Sequence, residues 1–151
     1  MNLQKVNNQQ SIFESIKKIN LNGGEFWFAR DLLTILEYKE WRKFIGVIGK
    51  AEEACIKSGQ NTADHFVQVD KMVKIGSEAE RTIDDYKLSR YACYLIVQNA
   101  DPAKPVVAVG QTYFAVQTRR QELIEQTKYN DLKTENEKRL FLRDQLKIQA
   151  L

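Results

Sequence analysis

The sequence predicts an α+β fold: a helix-rich single domain with one or two small antiparallel β-hairpins and long C-terminal helices. Three observations carry this. Between Leu88 and Leu123, apolar residues recur at helical spacing on both sides of a proline-marked corner. Trp41, Phe44, Ile45, Ile48, Ala51 and Cys55 form a stripe with the helical period. Asn22-Gly23-Gly24, and later Gly76, punctuate shorter apolar runs where the chain must reverse.

Taken in order, Met1–Gln10 is polar and reads as a flexible or helix-leading segment. Ile12, Phe13, Ile16 and Ile19 then suit a short amphipathic helix. Asn and Gly tolerate positive φ, so Asn22–Gly24 joins residues 19–21 and 25–28 into a small hairpin. Leu32, Leu33 and Leu36 mark a helix that stops at a tight corner over Glu37–Lys39. A second helix runs from about Glu40 to Lys57 and ends at Ser58-Gly59, where glycine suits the left-handed residue that closes a helix. Ser58–Asp64 is a polar loop. His65–Ile75 and Thr82–Leu88 are the arms of a second hairpin with one exposed face, and Gly76–Arg81 is its tip.

Ser89 can cap the next helix through its hydroxyl, and the apolar face there runs Tyr91, Tyr94, Leu95 before Asn99-Ala100. Asp101-Pro102 reads as a restart, with Asp as N-cap and Pro at the first helical position. Val106, Val109, Tyr113, Val116 and Leu123 continue the spacing. Tyr129–Lys133 is a joint, and Thr134-Glu135-Asn136-Glu137 fits a capping box opening a last helix with Leu140, Phe141, Leu142 and Leu146 apolar. That pattern is unfinished at Leu151, so the expectation is a piece of a longer chain. Residues 1–128 are the expected body, and residues 129–151 begin a C-terminal helical region.

With 151 residues, 43% hydrophobic and 28% charged, the chain can bury one real core and is not compositionally disordered. No apolar run approaches the roughly 20 residues that span a bilayer, and no signal pattern opens the sequence, so a cytoplasmic protein without membrane association is expected. Cys55 and Cys93 read as free buried thiols. With a single histidine and no CxxC spacing, neither a metal site nor any cofactor is expected. The net charge of +3 is held at the two ends of the chain, and no segment is strongly basic.

The helix opening at Trp41 is the strongest candidate for function. Lys39, Arg42, Lys43 and Lys50 stand against one acid, Glu40, and Lys43, Lys50 and Lys57 recur on one side. Two helices joined by a tight turn, the second basic and amphipathic, resemble a helix-turn-helix. Gly46 and Gly49 interrupt that helix at about 1 kcal/mol each, which a helix tolerates where a neighbouring helix or a phosphate backbone comes close. A lysine stripe on a surface helix is, however, common without any ligand. Arg119 and Arg120 could fork onto phosphates, although positive charge late on a helix is favoured by the macrodipole alone. Lys138, Arg139, Arg143 and Lys147 form a further basic run. Tyr91, Tyr94, Tyr113 and Phe114 could stack on bases, but their spacing reads first as core.

Catalytic signatures are lacking: no GxxxxGK[ST], GxSxG or HExxH occurs. Asp84-Asp85 reads as a solvated pair diverging on a strand, and Asp64-His65 as loop residues with no nucleophile indicated nearby. No catalytic residue is assigned, and an enzyme is not expected.

Leu88–Leu123, the segment KMVKIG at Lys71–Gly76 and EKRLFLRDQL at Glu137–Leu146 closely resemble the DNA-damage-inducible protein D family of bacteria, over roughly Glu25 to Leu151. The resemblance implies that residues 1–128 are an N-terminal domain related to the BRO domain of viral and phage antirepressors, and that the family continues beyond Leu151. It implies a non-enzymatic role in the DNA-damage (SOS) response, acting on DNA or on proteins assembled on it. DNA contact would then fall to Lys39, Arg42, Lys43 and Lys50, with Arg119 and Arg120 as auxiliary contacts. The competing readings are a protein-interaction module and a phage-type antirepressor. In the former, the C-terminal helices make a homodimer seam or dock a DNA-repair or recombination protein.

Overall fold

Turn chemistry sets the first reversal. The structure, a computed structural model, describes residues 12–132 and 134–149; the leading segment expected over Met1–Gln10 lies outside them. A short helical stretch, α1 (residues 12–15), leads directly into β1 (Lys18–Ile19), which pairs antiparallel with β2 (Glu25–Phe28). Ile16 and Ile19 therefore do not extend the helix: the Lys17 N–H closes the turn on Glu14 O at 3.1 Å, and Ile19 is already in the strand. In the hairpin Gly23 adopts φ 86° and Asn22 Oδ1 accepts the Gly24 N–H at 3.0 Å, as the turn residues predict.

β3 (Phe66–Lys74) and β4 (Glu80–Leu88) form the long second hairpin. β4 also pairs with β2 through Trp27–Leu88 and Phe28–Lys87, so the sheet is antiparallel in the order β1-β2-β4-β3. α2 (Ala29–Ile35) follows β2 without a side-chain cap of its own. Asp85 supplies the cap from β4: its Oδ1 accepts the Arg30 N–H at 3.0 Å and the Tyr86 N–H at 2.8 Å, and Lys71 Nζ lies 2.9 Å from Oδ2. This corrects the expectation of two solvated aspartates. Asp84 is exposed, but Asp85 is fully buried, because alternation along the strand turns it inward onto the helix N-terminus.

α2 closes on Glu37 at φ 62°, with Tyr38 N–H donating to Leu33 O at 3.0 Å. α3 (Trp41–Lys57) closes in the same way on Gly59 at φ 85°, where Gln60 N–H donates to Cys55 O at 3.1 Å. The buried stripe of α3 is Phe44, Ile48, Ala51 and Cys55, with Trp41 and Ile45 half-buried beside it. α4 (Arg90–Asn99) is capped by Ser89 Oγ, which accepts the Ala92 N–H at 3.0 Å. Its buried face is Ala92, Cys93, Ile96 and Val97, rotated from the expected Tyr91, Tyr94 and Leu95. The tyrosines flank the core because their hydroxyls need polar partners, as Tyr91 finds in Ser58 Oγ at 3.0 Å.

Asp101 and Pro102 do not open a helix. Asp101 Oδ1 accepts the Ala103 N–H at 3.0 Å and its carbonyl accepts the Lys104 N–H at 3.2 Å. This is a turn with Asp and Pro in their favoured first two places. α5 (Pro105–Asn130) starts instead with Pro105 at its first position. Val106, Val107, Val109, Tyr113 and Phe114 are buried, but Val116 and Leu123 are 40% and 50% exposed, so α5 leaves the core after Phe114. α6 (Glu135–Gln149) follows, with Thr134 Oγ1 accepting the Glu137 N–H at 3.1 Å. The apolar Leu140, Leu142 and Leu146 are exposed.

The core centres on aromatic edges: Phe114 meets Trp27 at 5.2 Å and Phe13 at 5.5 Å between ring centroids, both edge-on. Such pairs add about 1 kcal/mol each beyond the area they bury. Gly110 makes this possible, because a Cβ there would stand 2.9 Å from Phe13 Cζ. Glu14 at the end of α1 accepts from Tyr113 Oη at 2.7 Å and pairs with Lys17 at 2.9 Å, fastening the N-terminal segment to α5. Cys55 and Cys93 are free and buried, and burial pushes the Cys93 thiol well above its ordinary range. Among the described residues, no helix is long and apolar enough to cross a membrane.

Candidate nucleic-acid interface

α3 lays its apolar stripe on α4 and leaves the opposite side open. On that side Arg42, Gly46 and Lys50 follow at intervals of four, with Lys43 alongside, and Lys39 lies in the corner before the helix. Lys39, Arg42, Lys43 and Lys50 are all exposed, and none forms an ion pair among the described residues. Lys57 does not join them: its ammonium pairs with Glu53 at 2.8 Å. The two glycines have no neighbour within 4 Å of where a Cβ would stand. Among the described residues no helix comes that close to them, so no neighbouring helix there accounts for their helical penalty.

Folding adds two cations that no local pattern marked. Arg30 stacks over the Trp41 ring at 4.1 Å while its Nε donates to Asp84 O at 2.7 Å. Lys104 reaches back to Glu37 O at 2.7 Å and lies over the Tyr38 ring at 4.0 Å, beside Lys39. Both are committed to those partners but still contribute positive potential at the start of α3.

Arg119 and Arg120 sit apart from this group. They occupy the middle of α5 rather than its end, so the macrodipole does not account for them. α5 starts beside the α2–α3 corner, and the 15 residues from Lys104 to Arg119 carry the pair about 22 Å along the helix. Both are exposed, and Arg119 pairs with Glu122 at 3.2 Å. On α6, Lys138 rests over the Tyr129 ring at 5.0 Å and Arg143 lies 4.0 Å from Asp144.

A cavity of about 430 Å³ lies between α5, α6 and the body, lined by Glu25, Asp64, His65, Arg90, Glu122 and Glu125 among others. Carboxylates outnumber cations there, which suits no polyanion. Against the expectation that no nucleophile stands near His65, its Nδ1 lies 2.7 Å from Ser89 Oγ. That hydroxyl is 3% exposed and is already the cap of α4, so the pair is a fastening of the loop to the helix. Burial lowers the His65 pKa, which Asp64 only partly offsets.

Two consequences can be measured. His65 is the only histidine, and its neutral form is favoured in the folded state. The unfolded chain therefore binds more protons, and the stability present above about pH 6.5 declines as pH falls through the folded value. Thermal melts between about pH 7 and about pH 5 should show a falling midpoint that flattens in His65→Gln; identical slopes in the two proteins would refute the assignment. Separately, Gly46→Ala and Gly49→Ala should each raise stability by about 1 kcal/mol, since both sites are helical and open. If the open face seats a phosphate backbone, the same double variant binds DNA more weakly than the less stable parent.

Residues 15–115 match the family model described as "BRO family, N-terminal domain". Over 142 residues the chain is 57% identical to DNA damage-inducible protein D of Escherichia coli (strain K12), a match covering 94% of this chain and 52% of that protein. The chain thus spans about half the length of the curated relative it matches. No solved structure matches it. The family match takes in the whole sheet, α2 to α4 and the buried first part of α5. By the unit that carries its core and its cationic helix, the chain belongs to the BRO family.

Proposed function

We propose that this chain is a non-catalytic, DNA-contacting regulatory module of a DNA-damage-response protein. The observation that carries the reading is the exposed, unpaired set Lys39, Arg42, Lys43 and Lys50 around the open glycines of α3. A helix face with cations at its margins and no side chains at its centre lets a phosphate backbone approach the helix closely. The BRO family match supports DNA as the partner, and the name of the relative supports the damage-response context. On this reading residues 1–128 form the BRO-like unit and residues 129–151 begin a C-terminal helical region. Arg119 and Arg120 then serve at most as a second, separate contact.

Gel-shift titrations with single-stranded, duplex and gapped DNA over a salt series test it. With the α3 cations engaging about four phosphates, the logarithm of duplex affinity should fall with the logarithm of salt at a slope of about −3 to −4. Affinity unchanged from low to moderate salt would reject the mechanism.

A second reading has its own support in the exposed Leu123, Ile124, Leu140, Leu142 and Leu146 of α5 and α6. In it, these helices dock a repair or recombination protein and the effect on DNA is indirect. Deleting residues 134–151 should then abolish that complex, whereas Lys43→Glu with Lys50→Glu should leave it intact.

A further inference from the structure

The sheet ends at β3, and no strand lies beyond it among the described residues. Two hydrogen bonds settle which of its residues turn outward. Ile75 N–H donates to Ala79 O at 2.9 Å, and His65 O accepts the Ser89 N–H at 3.1 Å, so the odd-numbered residues direct their backbone groups at β4. Backbone groups alternate along a strand, so Gln68, Asp70, Met72 and Lys74 present theirs to solvent. The side chains of these four share one face, where Met72 is 61% exposed. On that face Asp70 stands directly opposite Asp84. The two like charges repel at this spacing, and neither has an ion-pair partner among the described residues.

We propose that β3 pairs antiparallel with β3 of a second copy of this chain, in the register that sets Met72 opposite Met72. That register places Asp70 against Lys74 on both sides of the Met72 contact, and Lys71 against Val73. Centring the pair on Asp70 or on Lys71 sets like charges face to face. Centring it on Val73 puts Lys74 against Met72 and matches no charge. Only one symmetric register is therefore complementary. Lysines on an edge strand ordinarily deter pairing, but here Lys74 of each copy meets Asp70 of the other, which also answers the Asp70–Asp84 repulsion.

The two-fold axis of such a pair is perpendicular to the sheet, so equivalent faces lie on the same side. Tyr86 shares the face of Gln68 and packs on Trp41 of α3, with 6.4 Å between centroids. Both α3 helices consequently stand on one side of a continuous sheet. The pairing itself does not depend on DNA binding, and its test needs no DNA.

Sedimentation of the chain from about micromolar to about millimolar concentration reads it directly. The expected result is a reversible dimer that Asp70→Lys weakens about tenfold and that the exchange Asp70→Lys with Lys74→Asp restores. Met72→Pro removes an outward N–H without breaking a backbone bond to β4, giving up only the exposed Thr82 Oγ1 donation to Met72 Sδ at 3.0 Å, and it should leave a monomer whose thermal melt stays cooperative. A chain monomeric throughout, or a dimer equally tight in Asp70→Lys and the wild type, overturns the proposal. If Met72→Pro does not fold, the charge exchange decides alone, because a purely structural role for Asp70 predicts no rescue by Lys74→Asp.

Discussion

Asp85→Ala is expected to destabilise the fold by about 3 kcal/mol, which for a domain of this size lowers the melting midpoint by about 10 °C. The carboxylate is fully buried: the Arg30 and Tyr86 N–H groups donate to its Oδ1, and the Lys71 ammonium forms an ion pair with its Oδ2. Removing it leaves the first turn of α2 uncapped and a cation beside the Phe28 ring, 3.6 Å from its centroid, without its counterion. Lys71 is 31% exposed and can turn toward water, which keeps the loss at the lower end for a broken buried pair. Asp84→Ala, one residue away and exposed, should stay within about 0.5 kcal/mol. Thermal melts of the two variants side by side make the comparison, and equal midpoints would show that Asp85 does not cap α2.

Why this residue was invisible beforehand is physical. Two adjacent aspartates on a polar strand carry no mark of which one faces inward, because the register that decides it comes from pairing β4 with β3 and β2. Signals that act within a few residues were legible: the Asn22–Gly24 turn, the Ser89 and Thr134 caps, the closure of α3 at Gly59 and the stripe of α3. Asp101-Pro102 is ambiguous in the sequence because the same two residues suit a helix start and a turn, and only Pro105 further on resolves which. The apolar face of α4 differs from the one its spacing predicts because tyrosine is both bulky and polar, and spacing alone does not tell which character wins. At the candidate interface the exposed α3 cations were visible as a charge pattern. Arg30 and Lys104 were not, since they arrive from 11 residues before Trp41 and 54 residues after Lys50 through tertiary packing. Gly46 and Gly49 mark a helix face that the sequence alone cannot assign to a neighbouring helix or to a ligand, and among the described residues that face is open.

Reversing Lys43 and Lys50 together to glutamate should reduce DNA affinity on the order of a hundredfold at low salt and lower the salt slope by about two units. The size follows from losing two phosphate contacts and gaining two repulsions on a helix face that is otherwise unchanged. Both side chains are exposed and unpaired, so stability should move by no more than about 0.5 kcal/mol, and a melt of the variant separates lost binding from lost fold. Arg119→Glu with Arg120→Glu is the matched control, because it changes the same number of charges about 22 Å along α5 from Lys104. If net charge alone governs binding, both double variants weaken it equally. If the α3 face is the contact, the first loses far more than the second, and restoring salt to a common value leaves the gap between them open. Full retention of DNA affinity in the Lys43/Lys50 variant would instead move the function to the exposed apolar residues of α5 and α6 and make the open glycines of α3 unexplained.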